Sequence, residues 1–185
     1  MQSPSLSSRF RALGPRATYR AQHAYVVGMF RLMGGLLQAA SEGDPVVATE
    51  ARGFPEGLVI GMSVLGDPAR LRVRKVGDRL VRESGDVPCD LEVVFKHISH
   101  AFGVLSFQES TPRAFANDRM ITRGDIALAM RLTRCLDRMQ AITLPKAIAE
   151  RAIKQYPAIG MPEKMRLALA TYGHLVGDTL REVTR

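Results

Sequence analysis

A chain of 185 residues with 46% hydrophobic and 24% charged content is sized for one globular domain with room for a helical extension. That apolar content excludes a disordered chain, and 16 glycines with 10 prolines exclude collagen-like and low-complexity classes. The net charge of +8 is uneven: Arg9, Arg11, Arg16, Arg20 and Arg31 all precede the first acidic residue, Glu42.

Such an N-terminal segment is attracted to anionic lipid, nucleic acid or an acidic partner, shares the acid-poor character of transit peptides, and reads equally as a solvated basic tail. Residues 23–40 predict a helix, with Val26, Phe30, Met33 and Leu37 on one face, weakened by Gly28, Gly34 and Gly35. Its apolar stretch at 25–37 is interrupted by Arg31 and falls short of the roughly 20 residues of a bilayer span. Arg31 also breaks the apolar centre a secretory signal needs. Residues 42–55 read as a loop.

From Leu58 the period becomes two, with Leu58, Ile60, Met62 and Val64 sharing a face. Residues 70–76 alternate Leu71 and Val73 with Arg70, Arg72 and Arg74, a strand with one dry and one basic face. Gly77 and Asp78 fit a type II′ turn into a returning strand at 80–83. Leu91, Val93 and Phe95 continue the alternation, giving the expectation of a four-strand meander with one apolar face. A short helix is expected at 101–107, another starting at Ser110 or Thr111 with Pro112 in its first turn, and a brief strand at 119–123. Gly124 turns the chain, and Asp125 caps a helix carrying Leu128, Leu132, Leu136 and Met139. Pro145 and Pro162 open two further helices; the last has a stripe of Met165, Leu169, Tyr172, Val176 and Leu180, suited to packing against the domain or a second copy.

Catalytic patterns are missing. His97 and His100 sit three apart but lack a third ligand for zinc, so they read as structural or surface residues. Neither Ser63 nor Ser106 stands in a nucleophile elbow, and no glycine-rich phosphate cradle occurs. Cys89 and Cys135 have no CxxC partner, which points to a reducing cytoplasm and, for Cys135, inert burial. Arg123, Gly124 and Asp125 read as a strand end, a turn and a cap. No enzyme activity, metal or cofactor is expected.

Residues 110–132 carry a resemblance. Ala114 and Phe115 form an Ala-Phe pair on a helix, 119–123 a basic-apolar strand, Gly124 and Asp125 a turn, and Leu128, Ala129 and Leu132 a Leu-Ala-x-x-Leu helix. In this the sequence resembles the sterol carrier protein type 2 family, loosely over residues 54–142. It departs at Asp118, where the family usually has glycine; Asp tolerates left-handed backbone better than most residues. The helix from Asp125, followed by Leu144, Pro145, Lys146 and Ala147, is also similar to accessory lipid carriers of bacterial ubiquinone biosynthesis.

The resemblance implies an α+β fold: about five strands, mainly antiparallel, with one face covered by helices, enclosing a tunnel for sterol, acyl or isoprenoid ligands. It divides the chain into a basic segment and helix (1–53), a lipid-binding domain (54–142) and a C-terminal helical extension (143–185). Expected lining residues are Ile60, Met62, Leu71, Val73, Leu91, Val93, Phe95, Phe102, Phe115, Ile121 and Leu128, with methionines such as Met62, Met120, Met130 and Met139 making the lining adaptable. Arg9, Arg11, Arg16 and Arg20 would dock a peripheral carrier at anionic membrane.

Three functions stay open on sequence. The first is a cytoplasmic carrier with a lipid or isoprenoid ligand. The second is an accessory subunit of ubiquinone biosynthesis that binds prenylated intermediates or, with its interior filled solid, scaffolds a complex or homodimer through its C-terminal helices. The third is nucleic-acid binding through the arginines, disfavoured because no aromatics are interleaved for base stacking.

Overall fold

The computed structural model describes residues 14–143, 165–169 and 173. The described residues begin with a 29-residue helix, α1 (Pro15–Gly43), with proline in its first turn, where a missing N–H costs nothing. It runs through the expected weak glycines because tertiary packing overrides propensity: Gly34 and Gly35 are buried, and Gly34 faces the side chains of Leu71 and Arg82.

The loop expected at 42–55 contains a second helix, α2 (Pro45–Arg52). Asp44 separates the two, its N–H bonding back to Ala40 O while its carboxylate accepts from Val46 N at 3.0 Å and Val47 N at 2.9 Å. An Asp cap followed by proline at the first helical position is a complete start signal, and it outweighs the loop-like composition around it.

Five strands follow: β1 (Val59–Val64), β2 (Arg70–Val76), β3 (Arg79–Arg82), β4 (Leu91–Phe95) and β5 (Met120–Arg123), in sheet order β3-β2-β1-β4-β5. Three pairings are antiparallel and β1 with β4 is parallel. The fold is thus α+β with a five-stranded, mainly antiparallel sheet. The hairpin forms as the sequence indicates, with Gly77 at φ 56° in the two-residue turn.

The expected four-strand meander is corrected: it stops after β3, and β4 returns beside β1. Residues 83–90 cross the outer sheet face to make that connection, with the Cys89 thiol set against Gly61 and Asp90 exchanging bonds with Val59 (Asp90 N to Val59 O 2.9 Å; Val59 N to Asp90 Oδ2 2.9 Å). β1 is therefore central and covered on both faces, which is why five of its six residues are buried.

Three helices complete residues 14–143: α3 (Ile98–Leu105), α4 (Thr111–Ala116) and α5 (Ile126–Thr143). His97 caps α3, its Nδ1 accepting from Ser99 N. Gly124, at φ 108°, lies so close to the Asp90 carbonyl that a Cβ would collide, and Asp125 caps α5 through Ala127 N and Leu128 N. Asp118 takes the left-handed conformation, φ 57°, at the position where glycine is usual.

α1 packs closely on β2, β3 and α3. Phe30 meets Phe95 at 6.4 Å between ring centroids, and Tyr25 meets Phe102 edge-on at 5.1 Å. At its far end α1 guards the sheet edge, where Leu80 N donates to Ser41 Oγ (3.0 Å) and Arg82 N to Gln38 Oε1 (2.8 Å). Val26, Phe30, Leu37, Val47 and Ala51 share one continuous core with Ile60, Val73 and Leu91, so residues on both sides of position 54 pack together. Of the expected last helix, Met165, Leu167 and Leu169 fall in the described helical stretch; Leu167 is buried, while Met165 and Leu169 are exposed. The expected helix from Pro145, and Tyr172, Val176 and Leu180, lie outside the described residues.

Candidate functional site

The apolar sheet face is not uniformly sealed. α1 lies directly on β2, with Gly34 against Leu71, and closes that side. Over the other side, a patch of Met62 on β1, Val93 and Phe95 on β4 and Met120 on β5 floors a cavity of about 120 Å³. Register explains the patch: Met62 pairs with Val93, and Phe95 with Met120. By the yardstick of about 10–15 Å³ per water-sized sphere, the space holds several such spheres.

The roof comes from α1, where Met29, Leu32, Met33 and Leu36 recur at helical spacing, and the ends from Val104 and Leu105 in the last turn of α3, Phe107 just after it, and Met139, Gln140 and Thr143 near the end of α5. Phe107 adopts φ 59°, an uncommon left-handed conformation for an aromatic residue, held by Gln108 N and Glu109 N both donating to Gly103 O (2.9 and 3.1 Å). Five of the nine methionines line the hollow, unbranched side chains that re-pack at low cost.

Of the residues expected to line such a space, Met62, Val93 and Phe95 do so. Ile60, Leu71, Val73, Leu91 and Phe102 are instead buried in solid core, under α1 or beyond the cavity's end. Leu128 is partly buried against that core, Phe115 is 41% exposed, and Ile121 pairs with Val94 on the opposite sheet face. Among the methionines, Met120 and Met139 reach the cavity and Met130 is exposed. Sequence reasoning missed the roof. Its signal was a second apolar row on α1, offset by one residue from the core row of Val26, Phe30, Met33 and Leu37.

The basic strand is partly neutralised from within the chain, three arginines sharing two carboxylates. Arg70 and Arg72 both bind Asp86, the latter at 2.8 Å, and Arg74 binds Glu83. Arg16 and Arg20 are exposed on the first turns of α1; Arg9 and Arg11 lie outside the described residues. Cys89 and Cys135 are free thiols; burial, with Glu50 adding to it, pushes Cys135 up to about 12. Among the described residues no cluster of three metal-binding side chains occurs, and no helix is long and apolar enough to cross a membrane.

No protein-family model matches the chain, and no curated protein matches it. Among solved structures, one described as "UbiJ-SCP2 Ubiquinone synthesis protein" aligns with a TM-score of 0.43 and 16% identity, covering 63% of this chain and 96% of that one. At that score the likeness carries no functional weight.

Proposed function

We propose that this chain is a non-catalytic lipid carrier that shelters part of an acyl, sterol or isoprenoid tail in the hollow between α1 and the β1-β4-β5 side of the sheet. The single observation that carries this reading is the methionine-rich cavity itself, open where a close-packed interior is the rule. The family resemblance read from residues 110–132 agrees with it. Removing a tail from water stabilises the complex by about 0.8 kcal/mol per CH₂. At its present size the hollow suits a short stretch of tail, and its flexible lining allows it to widen.

Docking at anionic membrane through Arg16, Arg20 and the more N-terminal Arg9 and Arg11 belongs to the same proposal, since α1 carries both exposed arginines and cavity roof. A role beside the enzymes of ubiquinone biosynthesis would be one use of such a carrier.

Native mass spectrometry of freshly purified protein, with uptake of the neutral dye Nile red, tests the reading. A co-purified lipid and saturable dye binding are expected, and Val93→Phe, which adds volume to the cavity floor, should abolish uptake while leaving helical circular dichroism intact. An empty protein that takes up no dye would overturn it.

A further inference from the structure

Among the described residues lining the cavity, Glu109 alone is charged. Its side chain is 9% exposed, and its oxygens are already engaged: Oε2 accepts from Arg119 Nη1 at 2.8 Å and Oε1 from Asn117 Nδ2 at 3.2 Å. An ionised carboxylate offers about four acceptor sites, so acceptor capacity remains after these two bonds. The other polar liners, Thr111, Gln140 and Thr143, are neutral.

We infer that Glu109 selects the ligand's headgroup, favouring a neutral hydroxyl-bearing amphiphile over a fatty carboxylate or a phosphate. This rests on the carrier reading and adds the chemical class of the cargo. A hydroxyl can donate to the free acceptor sites of Glu109. An anionic headgroup would be desolvated in a largely apolar enclosure beside a carboxylate whose one ionic partner, Arg119, is already committed to it, so no unspent positive charge among the described lining residues compensates that cost. Arg119 already balances the charge of Glu109, so the site calls for a hydrogen-bond donor and has no surplus charge for a cationic headgroup to neutralise. Glu109 is held for this task from both sides: its N–H is tied to Gly103 O and its carboxylate to the β5-adjacent Arg119.

Displacement of Nile red by three ligands with the same tail tests the inference: decan-1-ol, decyl methyl ether, which lacks the donor, and decanoate at pH 8. In the wild type, decanol should displace the dye at about tenfold lower concentration than the ether, the worth of one charge-assisted hydrogen bond. In Glu109→Gln the advantage of decanol over decanoate, each referred to that variant's own dye affinity, should shrink by about tenfold. Equal displacement by alcohol and ether in the wild type, or an unchanged alcohol-to-carboxylate ratio in the variant, would overturn the inference while leaving the carrier reading standing. Failure of the wild type to take up dye or any of the three ligands would overturn both.

Discussion

Arg138 of α5 grips Asp44 at the elbow between α1 and α2, with Nη2 2.9 Å and Nε 3.1 Å from Oδ2, while the same carboxylate caps α2. Asp44 is 1% exposed, so this ion pair sits in low dielectric. One turn back along α5, Arg134 and Arg131 reach Glu50 of α2, each at 2.7 Å. Arginines spaced three and four apart thus face α2, while Leu132, Cys135 and Met139 of the same helix face the core. The end of α5 that walls the cavity is held by ionic contacts on one side and packing on the other.

Arg138→Ala should therefore destabilise the protein by about 3 kcal/mol, because it strands a buried carboxylate without its counter-charge. Chemical denaturation of the variant checks this, and a loss below about 1 kcal/mol would show that the two backbone N–H bonds to Asp44 suffice.

The Glu50 cluster should respond to acid. Hydrogen bonding to Arg134, reinforced by the charges of Arg134 and Arg131, holds the Glu50 carboxyl below its ordinary value of 4.5. A lowered folded-state value means the stabilisation is present above pH 4.5 and is lost as pH falls through the lower folded value. Between pH 6 and pH 3, Glu50→Gln should lose less stability than the wild type, as read from urea midpoints.

Gly124→Ala should cost at least about 2 kcal/mol, since the residue is at φ 108° and a Cβ would collide with Asp90 O and press on Leu91 Cα at 3.1 Å. At Asp118, an exposed residue that already carries a Cβ in left-handed backbone, Asp118→Gly should be tolerated and Asp118→Val should cost about 1–2 kcal/mol. Paired thermal melts of the three variants rank them.

Cys135 should resist thiol reagents in the folded protein at pH 8 while half-buried Cys89 reacts, and unfolding should release both. Because burial raises the Cys135 thiol from 9.0 to about 12, the unfolded chain loses that proton first as pH rises. Stability should then fall between about pH 9 and pH 12, by about 1.4 kcal/mol per pH unit at most, and Cys135→Ala should flatten that decline.

The features legible in the sequence are local ones. The Gly77 turn, the Gly124 and Asp125 turn and cap, and the strand alternation each depend on neighbouring residues, and each forms. The placement of β4 beside β1 depends on a crossing over the outer face, and nothing within residues 83–90 announces that path. Alternation identifies Leu71, Val73, Met62 and Val93 as one apolar face but does not say where α1 will settle. Its seat on β2 seals Leu71 and leaves Met62 and Val93 beneath the hollow. The α2 helix was readable from Asp44 and Pro45, and was masked by the Gly and Pro content around them.

α1 supplies Phe30 and Leu37 to the packed core and Met29, Met33 and Leu36 to the roof of the cavity. Occupancy and folding are consequently coupled through a single rod: cargo that fills the space also clamps the helix to the sheet. A ligand at a hundredfold excess over its Kd adds about 2.7 kcal/mol to the free energy of unfolding, so thermal stability itself becomes a gauge of loading.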